Sequence, residues 1–339
     1  MRDAMATTSL LRGETLNSFA HPTSREIPVV GVDRYLSSLF GVVTALKAGT
    51  CNPQTSPNFE WQSTMMDRPR KFSARSIDYE VSLVLAGYGY ALSNAAIDLA
   101  NPLQSLEEPP HAEERNKEVM TFFRRSAGVF EWLAANPLVS PELQRAFPPG
   151  QRPPELSATF AEAMAMIVLG EAQVLAVQRG RQKGTSPVLL AKLASGAASK
   201  FDQARFKMQT EAQADWDATA APFKEYVQAC FLHMRALAYR FMGLAAQAEE
   251  RWGEAVGYLR VAARTTVPVA EMHVPDHVAT AIAGEQRETR RLLEQAVHDN
   301  DSIYFGKEVA EEALRPPEPM AFVRSIAFPC PAPAFTEIK

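Results

Sequence analysis

YRFMGLAAQAEERWGEAVGYLRVA, from Tyr239 to Ala262, interleaves small and large apolar residues at helical spacing. Met242, Gly243, Ala246, Trp252, Ala255, Leu259 and Ala262 stand where small side chains let two antiparallel helices approach and large ones fill the gap between them. The stretch reads as a helix pair, and the rest of the chain repeats the same period. Val119, Phe122, Phe123, Ala127, Phe130, Leu133 and Ala134 recur at three- and four-residue steps, which lays one apolar stripe along a helix ending before Pro137. Phe160, Met164, Ile167, Val174 and Val177 continue that pattern, and Ser186 followed by Pro187 predicts a new helix start, with proline in the first turn.

The offsets at Tyr239 to Ala262 are those of a tetratricopeptide helix pair. Only one copy is present, so the pair is expected as a hairpin embedded in a larger domain and not as one unit of an array. Proline clusters at Pro102 to Pro110, Pro137 to Pro154 and Pro316 to Pro333 punctuate the helices, because each proline removes a backbone donor and fixes φ. Ile77 to Leu99 is apolar nearly all round, with Gly87 and Gly89 inside it, and is expected as a buried central helix. Strand composition occurs only in IPVV at Ile27 and in AFVRSIAF near the C-terminal end. The fold class is therefore all-α, with an extended, proline-punctuated C-terminal tail after DNDSIYFGKEV at Asp299 to Val309.

Length and charge set further bounds. The 339 residues suffice for a sizeable core, and a formal net charge of −4 with both signs mixed gives no basic footprint for nucleic acid. Cys51, Cys230 and Cys330 form no close pair, which fits a reducing, cytoplasmic compartment. No run approaches the roughly 18 uninterrupted apolar residues of a membrane-spanning helix. Residues 1–26, rich in Ser and Thr, are expected as a poorly ordered tail ahead of a single domain at 27–339.

No catalytic constellation emerges. His273 and His277 are four apart, but Pro275 between them spoils a helical metal face and no third ligand is near. GRQKGTS at Gly180 has the wrong spacing for a phosphate loop and is expected as a helix–helix turn. Cys230 lies in an apolar helical run as an inert thiol, and nothing near His233 would orient an imidazole for a Cys/His dyad. No metal, cofactor or enzymatic activity is expected. What remains is a surface. With Leu190, Ala194, Ala197 and Phe201 as the buried stripe of the helix beginning at Ser186, Leu189 sits about 100° away and Leu193 on the flank. The pair either packs on an adjacent helix or opens an apolar groove for an amphipathic partner helix.

Several stretches in order resemble the Bro-one domain family: NFEWQSTMM from Asn58, RSIDYEVSLVLAGYGYALSNAAIDLA from Arg75, RSAGVFEWL from Arg125, GEAQVLAVQRG with SPVLLAKLASGAASKFDQA, and DNDSIYFGKEV. The brox-like subgroup is the nearest by the IYFGKEV and VRSIAFP endings, with the ALIX N-terminal domain beside it. This resemblance implies a boomerang-shaped helical domain with a tetratricopeptide-like core. It implies a non-enzymatic adaptor that binds the amphipathic C-terminal helix of an ESCRT-III subunit, charged multivesicular body protein four or Snf-seven, and is recruited from the cytoplasm to endosomal or other ESCRT-active membranes. Membrane association is then peripheral, through partners. The family's apolar patch maps onto Leu189 and Leu193 with Phe322 beside it, flanked by Glu113 and Lys117. Ala176 stands where the ALIX domain carries an aromatic, which implies a shallower groove. Tyr304 maps to a conspicuous aromatic of the family's turn, as packing, secondary contact or modification site. The chain ends TEIK, without a prenylation box, so no lipid anchor is expected. The alternative function is a tetratricopeptide-like scaffold for an unrelated peptide.

Overall fold

A computed structural model describes residues 2–20, 27–49, 57–68, 70–100, 111–136 and 141–334. The prolines at 102, 109, 110 and 137, together with Cys51, lie outside the described residues. In chain order the elements are α1 (Arg2–Ala20), α2 (Ile27–Lys47), β1 (Phe59–Gln62), β2 (Lys71–Ala74), α3 (Ile77–Ala100), α4 (Ala112–Ala135) and α5 (Pro141–Ala146). They continue with α6 (Ala158–Gln182), α7 (Pro187–Glu211), α8 (Gln213–Ala218), α9 (Ala221–Ala248), α10 (Trp252–Thr265) and α11 (Asp276–Asp299). The fold is predominantly α, and the chain gathers into two compact units. One takes Met1–Val168, Met208–Ala218 and Ser325–Lys339; the other takes Leu169–Lys207 and Thr219–Arg324.

In the first unit α3 and α4 pair closely because Gly89 leaves room for the Phe130 ring. A Cβ at that glycine would stand 2.6 Å from the Phe130 side chain. Ser126 Oγ donates to the Gly89 carbonyl at 2.7 Å across the same contact. At the other end of α3, Glu80 is 0% exposed and receives four hydrogen bonds. Its donors are Arg12 of α1 through Nε at 2.7 Å and Nη2 at 3.3 Å, Tyr35 Oη of α2 at 2.7 Å, and Trp61 Nε1 of β1 at 2.6 Å. The Arg12 guanidinium also lies over the Phe59 and Trp61 rings.

Three expectations need correction. Arg2 to Ala20, read as part of a poorly ordered tail, form α1, because Arg12 supplies the counter-charge to Glu80. IPVV opens α2 and is not a strand: Pro28 falls in the first turn, where a missing N–H costs nothing. AFVRSIAF runs extended but joins no sheet; instead Ile326 N–H donates to the Arg124 carbonyl at 2.9 Å, with Phe328 packed edge-on against Trp132 and Tyr88. The sheet among the described residues is the antiparallel β1–β2 pair, registered Phe59 to Ala74 and Gln62 to Lys71. Helices α3 and α6 are long and apolar enough to cross a membrane by length and composition, yet more than half of each such stretch is buried within the protein. Core helices meet the same test.

A second carboxyl in this unit behaves differently from Glu80. Glu155 is buried with Ser63 Oγ 2.9 Å from both of its oxygens, and among the described residues no cation is paired with it. Burial pushes its pKa up from 4.5 to about 7. A carboxyl that holds its proton more tightly when folded adds stability that is complete below its ordinary pKa and is lost as pH rises through about 7. Glu155→Gln keeps the shape and removes the titration. Urea unfolding should find the variant about 1–3 kcal/mol more stable than the wild type at pH 8, with little difference at pH 4.5. A wild-type stability independent of pH between 5 and 8 contradicts this.

In the second unit α9 and α10 form the helix pair predicted from Tyr239 to Ala262. A Cβ at Gly243 would meet Leu259 Cγ at 2.8 Å, so this glycine sets the approach. Ala246, Ala255, Tyr258 and Val261 form the core between them, joined by Leu314 of the tail. Val256, Leu259 and Ala296 pack α10 on α11.

Candidate functional site

The α6–α7 turn is where GRQKGTS lies, and its geometry is that of a helix–helix connection. Gly184 adopts φ +70, and Thr185 N–H returns to the Gly180 carbonyl at 2.9 Å. Ser186 ends the turn; its carbonyl accepts the Leu190 N–H at 3.0 Å and Pro187 opens α7. The helices run back antiparallel, Gly180 facing Leu190 and Gly170 facing Phe201. Small residues on α6 thus make room for large ones on α7.

The tail crosses this hairpin. Met320 N–H donates to the Lys192 carbonyl at 3.0 Å, Ser195 Oγ donates to the Pro317 carbonyl at 2.7 Å, and Lys192 Nζ meets Glu318 at 3.1 Å. Gly196 is the seat: a Cβ there would overlap the Met320 carbonyl oxygen. Gln173 of α6, 1% exposed, is the hub. Its Nε2 donates to the Leu193 carbonyl at 2.7 Å and the Met320 carbonyl at 2.8 Å, and its Oε1 accepts the Phe322 N–H at 3.1 Å.

Against this frame the predicted site residues separate. Leu189 is 39% exposed on α7, beside exposed Val188, whereas Leu193 one turn further on is only 7% exposed. The two leucines are therefore not equally open: Leu193 faces inward with Leu190 and Ala194. Phe322 is 62% exposed, while its neighbour Val323 is buried; along the extended tail about every third side chain, Leu314, Pro317, Met320 and Val323, turns toward the protein. Ala176 is half-buried on α6, one turn after Gln173. Glu113 and Lys117 are exposed one turn apart on α4, which belongs to the first unit. Gln173 escaped sequence reading altogether. A glutamine in mid-helix gives no signal when its partners stand 20 and 147 residues away.

DNDSIYFGKEV ends α11 in a wide turn at Asn300–Tyr304 and reverses at Phe305, whose φ of 52 is rare for a bulky residue. The Asn300 side chain clamps the reversal, its Nδ2 donating to the Gly306 carbonyl and its Oδ1 accepting the Gly306 N–H, both at 2.9 Å. Tyr304 stacks on Trp252 with ring centroids 4.1 Å apart. The chain then lies along α10, where a Cβ on Gly253 or Gly257 would strike the Lys307 or Val309 carbonyl.

Several titratable groups elsewhere in the second unit are shifted by burial. Burial pushes the Cys230 thiol up to about 12, helped by the charge of Glu171, and lowers His233 to about 4. Burial opposes ionisation of Glu285, but Arg240 and Arg181, each donating at 2.5 Å, overcome it and hold the carboxyl below its usual range. His273 sits at Glu225, its Nδ1 3.2 Å from the carboxylate. Among the described residues no group of three or more His, Cys, Asp or Glu is placed to hold a metal ion.

The second unit, with a tetratricopeptide-like helix hairpin and a tail hydrogen-bonded back over its helices, has the architecture of a helical repeat-like fold. The chain belongs to the BRO1-like domain family, whose model matches residues 2–338 and so takes in α1. It is similar to the human BRO1 domain-containing protein BROX, 24% identical over 291 residues, and to the Pongo abelii protein of the same name at the same identity. The matched segment covers 81% of this chain and 66% of the length of these curated relatives. Among solved structures, the ALIX BRO1 domain in complex with CHMP4C superposes with a TM-score of 0.75 at 20% identity, covering 98% of this chain and 87% of that one. A Bro1 domain solved to explain endosomal targeting gives 0.69 at 17%, covering 96% and 83%. At these identities the likeness establishes the fold.

Proposed function

We propose that this chain is a non-enzymatic ESCRT-associated adaptor that binds the amphipathic C-terminal helix of an ESCRT-III subunit on the α6–α7 face of its second unit. The observation that carries this is the combination of exposed Leu189 on α7 with exposed Phe322 on the tail that is hydrogen-bonded across the same hairpin. Two uncovered apolar side chains on rigid backbone are the kind of anchors that receive the apolar face of a partner helix. The solved complex of the ALIX BRO1 domain with CHMP4C supports the choice of partner. Ala176 offers little bulk to the surface, and Leu193 supports it from beneath. Glu113 and Lys117 are left out of the proposed surface, which is confined to the second unit. Recruitment from the cytoplasm to endosomal or other ESCRT-active membranes then follows from the partner, with no membrane contact of the chain's own required.

The test is calorimetric titration of the whole chain with a synthetic C-terminal helix of CHMP4C. Saturable one-to-one binding is expected, and Phe322→Ala should weaken it about tenfold, the usual loss for truncating an exposed aromatic anchor. Absence of heat and of competition at millimolar peptide rejects the proposal. A second reading, a scaffold for an unrelated peptide, is favoured by the adjoining exposed residues Ile303, Tyr304 and Phe305 at the end of α11. It predicts a reproducible partner whose capture is lost in Phe305→Ala and kept in Leu189→Asp.

A further inference from the structure

We infer that Gln173 is the positioning residue of the docking surface: it touches no partner itself and fixes Phe322 in the orientation the partner meets. The inference rests on the docking proposal above and assigns to the interior of the second unit what that proposal left to the surface.

The Gln173 side chain is almost fully buried, yet each polar atom of its amide has protein partners. Nε2 spans the Leu193 carbonyl of α7 and the Met320 carbonyl of the tail, and Oε1 takes the Phe322 N–H. A backbone segment ordinarily finds such partners in a neighbouring strand; here one side-chain amide supplies them to residues 320 and 322 together. The choice of residue is restrictive. Glutamate lacks the two donors, leucine has none of the three bonds, and asparagine is one methylene short of the tail. The Met320 N–H is held by the Lys192 carbonyl, and Gly196 leaves the Met320 carbonyl space to reach the amide. Residues 320 to 322 are therefore held at three points. Phe322 projects from the last of them, and Val323 beyond it turns inward. With the backbone fixed, the Phe322 ring is presented without the entropy loss that a mobile tail would incur on binding.

Two measurements test this. The first needs no partner: in amide hydrogen exchange the Phe322 N–H should be protected in the wild type and lose that protection at least about tenfold in Gln173→Leu, from which the acceptor has gone. The second is a double-mutant cycle with the CHMP4C helix as probe. Gln173→Leu should weaken binding about tenfold, and Phe322→Ala should add little further loss in that background, because the two act through one contact. Gly196→Ala, whose methyl would press on both the Met320 carbonyl oxygen and the Gln173 amide nitrogen, should reproduce both effects and stands in should Gln173→Leu not fold. Unchanged Phe322 protection in a folded variant overturns the inference, as does strict additivity of the two losses, which marks a merely structural glutamine. If Leu189→Asp abolishes binding while Gln173→Leu and Gly196→Ala bind as the wild type does, the docking proposal stands and this inference falls. If the wild type itself fails to bind, both fall.

Discussion

Leu189→Asp is expected to weaken capture of an ESCRT-III C-terminal helix at least about a hundredfold, close to 3 kcal/mol, while the melting temperature stays within a few degrees of the wild type. The two halves of that expectation have separate causes. At 39% exposed, Leu189 already tolerates water, so a carboxylate there stays hydrated in the free protein and asks little of the fold. On binding, the same carboxylate is covered by an apolar helix face with no cation assigned to it, and burying an unpaired charge is opposed far more strongly than losing a methyl contact. Leu193→Asp is the contrasting control. Leu193 is 7% exposed, and its substitution places the charge inside the free protein, so loss of binding there would be confounded by loss of structure. Calorimetry beside a circular-dichroism melt separates the two. Leu189→Asp binding within threefold of the wild type removes Leu189 from the surface.

Glu80→Ala is expected to lower unfolding stability by about 3–5 kcal/mol, the range found when one partner of a buried ionic network is deleted. The carboxylate is wholly enclosed and serves Arg12, Tyr35 and Trp61 at once. Its removal leaves a phenol, an indole N–H and a guanidinium facing a cavity. Glu80→Gln should lose less, since the amide oxygen still accepts, although its NH2 group opposes one of the donors. Because Arg12 is the member contributed by α1, Arg12→Ala should detach that helix before the rest unfolds, and amide exchange across residues 6–16 would show it. Urea unfolding of the three variants against the wild type is the measurement. A Glu80→Ala deficit below about 1 kcal/mol shows that water replaces the carboxylate without loss.

How much of this was legible in the sequence depended on how far apart the interacting residues lie. The α9–α10 pair could be read because small and large apolar residues, Gly243 and Leu259 among them, stand at the offsets of a helix hairpin within one continuous stretch. The central helix α3 could be read because Ile77 to Leu99 is apolar nearly all round, and the start of α7 because Ser186, the last residue of GRQKGTS, precedes Pro187. Glu80 and Gln173 were invisible for the opposite reason. Each is an ordinary polar residue of a helix whose role is assigned by partners on other elements, up to 149 residues away for Gln173. IPVV misled because β-branched composition was weighed above the tolerance of a first helical turn for proline. Leu193 shows the limit of angular reasoning: on the flank of the apolar stripe by its helical position, it is only 7% exposed in the folded chain.

The glycines beneath the tail carry one more consequence. In the second unit Gly253, Gly257 and Gly196 each receive a carbonyl of the passing chain, those of Lys307, Val309 and Met320. Side chains between these points can vary freely on the solvent side, but the spacing from 307 to 320 cannot. A single inserted or deleted residue throws every later carbonyl out of phase with its notch. Relatives that share this arrangement should accordingly diverge in tail composition while conserving tail length.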